Sequence, residues 1–146
     1  SDYLTAIPLD AELVATGWPV AHYGLGRLLL YLQRTYSPEG GILITEAGAA
    51  FQEEEGRRPA AERQADYLRD QAVVLRRAMR EGADVRGYFW WTLMDNFEWS
   101  AGYTKPFGLF EVDFASSLAR RPRPAASAFR ALAEGNAASR EVGDGE

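Results

Sequence analysis

The chain has 146 residues, 47% of them hydrophobic, and a formal net charge of −5. That length and apolar fraction suit one folded domain rather than a disordered chain, and an acidic balance with dispersed basic residues argues against a nucleic-acid surface. The absence of cysteine excludes disulfides and thiolate metal sites, and no apolar run approaches the roughly 20 residues of a membrane helix, so a soluble, cytoplasmic protein without membrane partner is expected.

Leu25, Leu28, Leu29, Leu32 and Tyr36 recur at helical spacing, and Ser37-Pro38 with Gly40-Gly41 stops that helix. Ile42 to Thr45 follows as a short buried strand. A polar loop holding Glu53-Glu54-Glu55-Gly56 leads past Pro59 into a second helix. Its stripe is Ala65, Leu68, Ala72, Leu75 and Met79, with Gly82 where a C-terminal cap belongs. Tyr88 to Leu93, continuously apolar apart from Thr92, predicts a strand covered on both faces, as in a parallel sheet. After a loop from Asp95 to Tyr103, Phe107 to Phe114 alternates as a short hairpin does. Pro122 and Pro124 open a last helix that carries Phe129 and Leu132 and is capped near Gly135. Residues 136–146 are small, polar and acidic, and a flexible tail is expected there.

Helix, strand, helix, strand, helix is the order of right-handed parallel crossovers, the α/β grammar of a (β/α)8 barrel. A whole barrel needs roughly 250 residues and eight strands. Residues 1–135 therefore read as about a quarter of one, two barrel strands with flanking helices. Two such strands leave edges and apolar faces without partners, which predicts self-association or a missing barrel portion. Ser1 in place of methionine fits truncation or processing.

The most informative stretch runs from Val85 through Tyr88-Phe89-Trp90-Trp91 to Asp95-Asn96-Phe97-Glu98-Trp99 and Gly102-Tyr103. It joins a buried strand to rings and carboxylates. Flat rings stack on the C–H faces of a sugar and fixed carboxylates accept its hydroxyl protons, each charged hydrogen bond contributing roughly 1.5–3 kcal/mol. A carbohydrate site is the first functional expectation. Glu46, directly after an apolar strand, falls at the strand end where barrel enzymes carry catalytic groups; the plain alternative is a solvated glutamate. Glu53-Glu54-Glu55 reads as a solvated loop face, with no metal expected, and the lone His22 as packed or exposed rather than catalytic. No cofactor is expected.

Gly87-Tyr88-Phe89-Trp90-Trp91-Thr92-Leu93-Met94-Asp95-Asn96-Phe97-Glu98-Trp99, with Gly102-Tyr103 and Phe107-Gly108-Leu109, resembles the C-terminal pattern of the family 1 glycoside hydrolases, the β-glucosidases and their relatives. Ile42-Leu43-Ile44-Thr45-Glu46-Ala47-Gly48 is similar to the I-T-E-N-G segment that carries the nucleophile of that family. The resemblance covers nearly the whole chain and implies the C-terminal part of a (β/α)8 TIM barrel, a β-glycoside or oligosaccharide substrate, and retention by double displacement. It assigns Glu46 the nucleophile's role, Glu98 and Trp99 hydrogen bonds to glycone hydroxyls, Trp91 the platform under the sugar and Phe107 the pocket wall. Asp95 and Asn96 are expected to hold the loop through side-chain to backbone bonds.

The family's acid/base glutamate lies in a T-x-N-E-P motif, which does not occur in this chain. The isolated chain is therefore expected to be inactive or nearly so. Two other readings stay open: a non-catalytic sugar-binding or interaction remnant, and one part of a split enzyme that needs an N-terminal partner. Three positions depart from the family pattern: Ala47 replaces the asparagine after the nucleophile, His22 replaces a proline, and Pro106 replaces a basic residue.

Overall fold

A computed structural model describes residues 11–141. The first described segment is a tight antiparallel turn in which Leu13 bridges Pro19. Helix α1 (His22–Tyr36) follows and ends where Ser37 enters the left-handed region at φ 41°. Strand β1 (Ile42–Ala47) leads into helix α2 (Ala60–Arg80). Glu53 caps α2 from a distance, both carboxylate oxygens accepting the Ala60 N–H at 3.1 and 3.2 Å. The acidic loop is exposed, as expected, and it also makes structural bonds: Glu54 accepts from Arg57 and from Arg63, which is buried. Gly82 turns the chain after α2 with φ at +105°, and the Ala83 N–H reaches back to the Ala78 carbonyl at 3.0 Å.

Strand β2 (Val85–Trp90) lies parallel to β1, pairing Ile42 with Val85, Ile44 with Tyr88 and Ala47 with Trp90. The two strands are joined through α2, as the sequence order predicts. On the helix side, Ile42, Ile44, Val85 and Tyr88 pack on a cluster of Leu29, Leu75, Ala78 and Ala83. A second cluster joins Leu68 of α2 and Trp90 of β2 to Leu109 and Ala125. Each leucine buried this fully contributes roughly 1.5–3 kcal/mol. Burial also pushes the phenols of Tyr67 and Tyr88 above their ordinary pKa, so both stay neutral hydrogen-bonding groups.

The opposite face of the strand pair is open. Leu43 is 57% exposed and Phe89 56% exposed, and Leu93 beyond the strand is exposed too. The expected strand from Tyr88 to Leu93, covered on both faces, is therefore corrected in two ways. It starts at Val85 and ends at Trp90, and only its helix side is covered, because no further layer in these residues faces it.

The hairpin expected within Phe107 to Phe114 is wider than that: only β3 (Phe110–Val112) lies there, and it pairs antiparallel with β4 (Arg120–Pro122). Pro122 belongs to β4 and does not open the last helix; α3 starts at Pro124. The helix runs on to Glu141, past the cap expected near Gly135, so 136–141 of the expected tail continue α3 and 142–146 lie outside the described residues. Among the described residues, no helix is long and apolar enough to cross a membrane.

Candidate functional site

The strand ends and the loops after them build the site. Glu46 is the penultimate residue of β1 and is exposed. Two residues on, Gly48 lies against the other strand's exit: a Cβ there would overlap the Trp91 carbonyl oxygen. The Trp91 N–H donates to the Ala47 carbonyl at 2.8 Å, extending the sheet contact by one residue. Successive tryptophans then part. Trp90 is buried and its indole donates to the Phe107 carbonyl at 3.2 Å, whereas Trp91 stands on the exposed side and follows into a cis peptide with Thr92.

The loop after β2 is pinned at its base by Asp95. Its carboxylate accepts the Gly108 N–H at 2.9 Å and faces the Arg123 guanidinium through two bonds of 2.8 and 2.7 Å. This confirms the side-chain to backbone bonding expected of Asp95. Asn96 does not share it: its Oδ1 is buried with no donor among the described residues. At the loop's tip, the Trp91 indole N–H donates to Glu98 Oε1 at 3.0 Å, and a single 3-10 turn, Trp99–Ala101, presents the Trp99 ring at 88% exposure.

A cavity of about 390 Å³ opens beside that loop. Glu98, Trp99 and Phe107 line it together with Gly48, Trp18 and Lys105. Three of the five residues singled out in the sequence thus share one concavity. Trp91 joins it through its bond to Glu98, while Glu46, exposed at the end of β1, stands outside the lining. Aromatic rings, a carboxylate and an ammonium around such a volume suit a polyhydroxylated ligand of one ring.

Other residues that shape the site carried little signal in the sequence. Lys105 reaches across to the Ala15 carbonyl at 2.6 Å and so ties the first described turn to the rim. Gln64 of α2 is 2% exposed and donates to main-chain carbonyls of both loops. Its signal was a polar residue four positions before Leu68, on the apolar side of the helix. His22 is packed as expected, with its ring 4.6 Å from that of Tyr67 and Nε2 3.9 Å from Asp70.

The model for glycosyl hydrolase family 1 matches residues 7–138. Beta-glucosidase 42 of Arabidopsis thaliana is 35% identical over 134 residues, covering 88% of this chain and 27% of its own length. A 6-phospho-beta-galactosidase of Staphylococcus haemolyticus is 36% identical over 130 residues, covering 86% and 28%. The family 1 β-glucosidase of Thermotoga maritima superposes with a TM-score of 0.78 at 32% identity, over 89% of this chain and 30% of that one; it has also been solved with deoxynojirimycin. The chain spans between a quarter and a third of the length of these relatives. Its two parallel strands and flanking helices are accordingly a fragment of a (β/α)8 barrel.

Proposed function

From the premise that this chain belongs to glycosyl hydrolase family 1, we propose that it supplies the nucleophile and part of the glycone site of a retaining β-glucosidase. The observation that carries the reading is the cavity where Glu98, Trp99 and Phe107 converge, with Trp91 bonded to Glu98 at its edge. Glu46 attacks the anomeric carbon from the end of β1, and a glycosyl-enzyme forms. Water then releases the sugar with retained configuration. Both steps need a second carboxylate about 5–5.5 Å away, as acid and then base. That carboxylate comes from outside the T-x-N-E-P-free sequence of this chain. Glu98 accepts from the sugar hydroxyls through the oxygen that Trp91 leaves free, the Trp99 indole N–H donates to those hydroxyls, and Trp91 offers its face to the C–H bonds.

Two assays separate the parts of this reading. An aryl β-glucoside whose leaving group needs protonation should show no sustained turnover by the chain alone, since a general acid contributes about 10²–10⁴-fold. An activated 2-fluoroglucoside needs no such acid and should label Glu46 in the completed barrel. Sustained hydrolysis by the isolated chain that is lost in Glu46→Gln, or label on another residue, overturns the assignment.

The open face of β1 and β2 favours a second statement, that this chain acts as one part of an enzyme completed by further barrel strands. Leu43, Phe89 and Leu93 are exposed there together. Light scattering should find the purified chain as an oligomer, or as a complex when the remaining barrel is supplied. A monomer that melts cooperatively and binds sugar unaided would instead make it a self-sufficient, non-catalytic sugar-binding remnant.

A further inference from the structure

We infer that Gln64 is a positioning residue of the glycone site, locking the segment behind Glu46 to the segment that carries Phe107; this rests on the glycosidase reading given above. Gln64 Nε2 lies 3.1 Å from the Ala49 carbonyl, 3.3 Å from that of Pro106 and 3.1 Å from that of Phe107. Ala49 is three residues beyond Glu46 and itself buried, and Phe107 lines the cavity. The two segments come from different crossovers, and neither is a strand where these carbonyls lie. No sheet ladder pairs them, and the donor they share is the Gln64 side chain.

The Phe107 carbonyl is where the arrangement meets. It accepts from Gln64, from the Trp90 indole at 3.2 Å and from the Thr92 N–H at 3.4 Å. Helix α2, strand β2 and the start of the aromatic loop are thereby fixed to one oxygen, and Gln64 adds the rear of the nucleophile loop through the Ala49 carbonyl. The orientation of the carboxamide is unambiguous, because only its NH₂ end suits three carbonyl oxygens. Its own Oε1 is left buried without a donor among the described residues. A residue that merely filled space would not carry an unpaired oxygen, and methionine would fill the same volume without one. What the glutamine adds is its two N–H bonds, directed at the loops. They hold Glu46 and Phe107 at a set separation, behind the contact of Gly48 with Trp91.

The test uses the whole chain with Gln64→Met, which keeps volume and removes the donors, and Gln64→Glu, which keeps shape and turns an acceptor toward the carbonyls. Hydrogen exchange read residue by residue should accelerate at least tenfold for the Trp91, Phe107 and Leu109 amides in either variant. The amides around Leu29 and Leu75, on the α1–α2 contact, should not change. Unchanged exchange at the loops, or equal acceleration throughout, overturns the inference. A second arm titrates deoxynojirimycin against tryptophan fluorescence, where Gln64→Met should bind at least tenfold more weakly at unaltered circular dichroism. Equal binding by wild type and variant overturns it as well. A wild-type chain that binds no sugar unaided agrees with an enzyme completed by further strands, and the exchange arm then decides the lock.

Discussion

The indole N–H of Trp91 donates to Oε1 of Glu98 at 3.0 Å, so the residue just past β2 and a residue on the loop's tip hold each other across seven positions. The bond commits one carboxylate oxygen and leaves the other for a ligand. Trp91→Phe keeps a ring and removes the donor. Its affinity for deoxynojirimycin in the completed barrel should fall about fivefold, the equivalent of about 1 kcal/mol for one partly exposed hydrogen bond. Calorimetric titration measures it, and an unchanged affinity would show the bond to be idle.

Glu46 and Glu98 should fail in different ways. Losing the nucleophile removes the covalent route, whereas Glu98→Gln forfeits one charge-assisted bond worth roughly 1.5–3 kcal/mol, or about 10–150-fold in kcat/KM. Azide, a small anion able to occupy a vacated carboxylate's place, should restore turnover to Glu46→Gly with an activated substrate. It should do nothing for Glu98→Gln. Rescue of the Glu98 variant alone would exchange their roles.

Asp95 and Arg123 form the most enclosed ion pair described, with side chains 11% and 13% exposed. Arg123→Met leaves a carboxylate enclosed with only backbone N–H partners, so the chain should lose about 3–5 kcal/mol, lowering Tm by roughly 10 °C. Scanning calorimetry reads the shift. The double variant with Asp95→Asn should recover part of it, because the penalty is that of the charge left behind.

The outline of the fold was legible because periodicity and apolar runs are local. Helices α1 and α2 and the strand pair follow from spacing, and Gly82 caps α2 as its sequence position suggests. Strand β4 was not legible: Arg120-Arg121-Pro122 is polar, exposed and without alternation, and its pairing is imposed by tertiary contacts, including the Arg123 N–H bond to the Leu109 carbonyl. Although the resemblance assigned Trp91 to the site, apolar spacing alone does not say which of two adjacent tryptophans turns inward. That is decided by which side of the sheet the helices cover, leaving Trp90 buried and Trp91 exposed. The grouping of Glu98, Trp99 and Phe107 was foreshadowed by the family-like pattern. Gln64 was missed because its partners are carbonyls, which carry no sequence identity.

His22 makes stability depend on pH. Burial pulls its imidazole pKa below the ordinary 6.5, with Asp70 and Glu12 opposing the shift, so the unfolded chain takes up the proton first. Stability should therefore be fully present above that value, fall as pH drops below it and level off beneath the folded pKa. Urea midpoints between about pH 7.5 and 5 should fall more steeply for the wild type than for His22→Phe. Parallel curves would assign the whole dependence to carboxylates.

The absent side chain at Gly48 has a consequence for how such a site can change over generations. Where two elements meet through side chains, their spacing is adjustable by one substitution after another. Here main chain rests on main chain, so any residue larger than glycine pushes the strand bearing Glu46 away from the Trp91 carbonyl. On the proposed reading, the spacing of Glu46 and Trp91 is then inherited as a constant, and preference among sugars would drift at the rim, where Trp18 and Lys105 line the cavity.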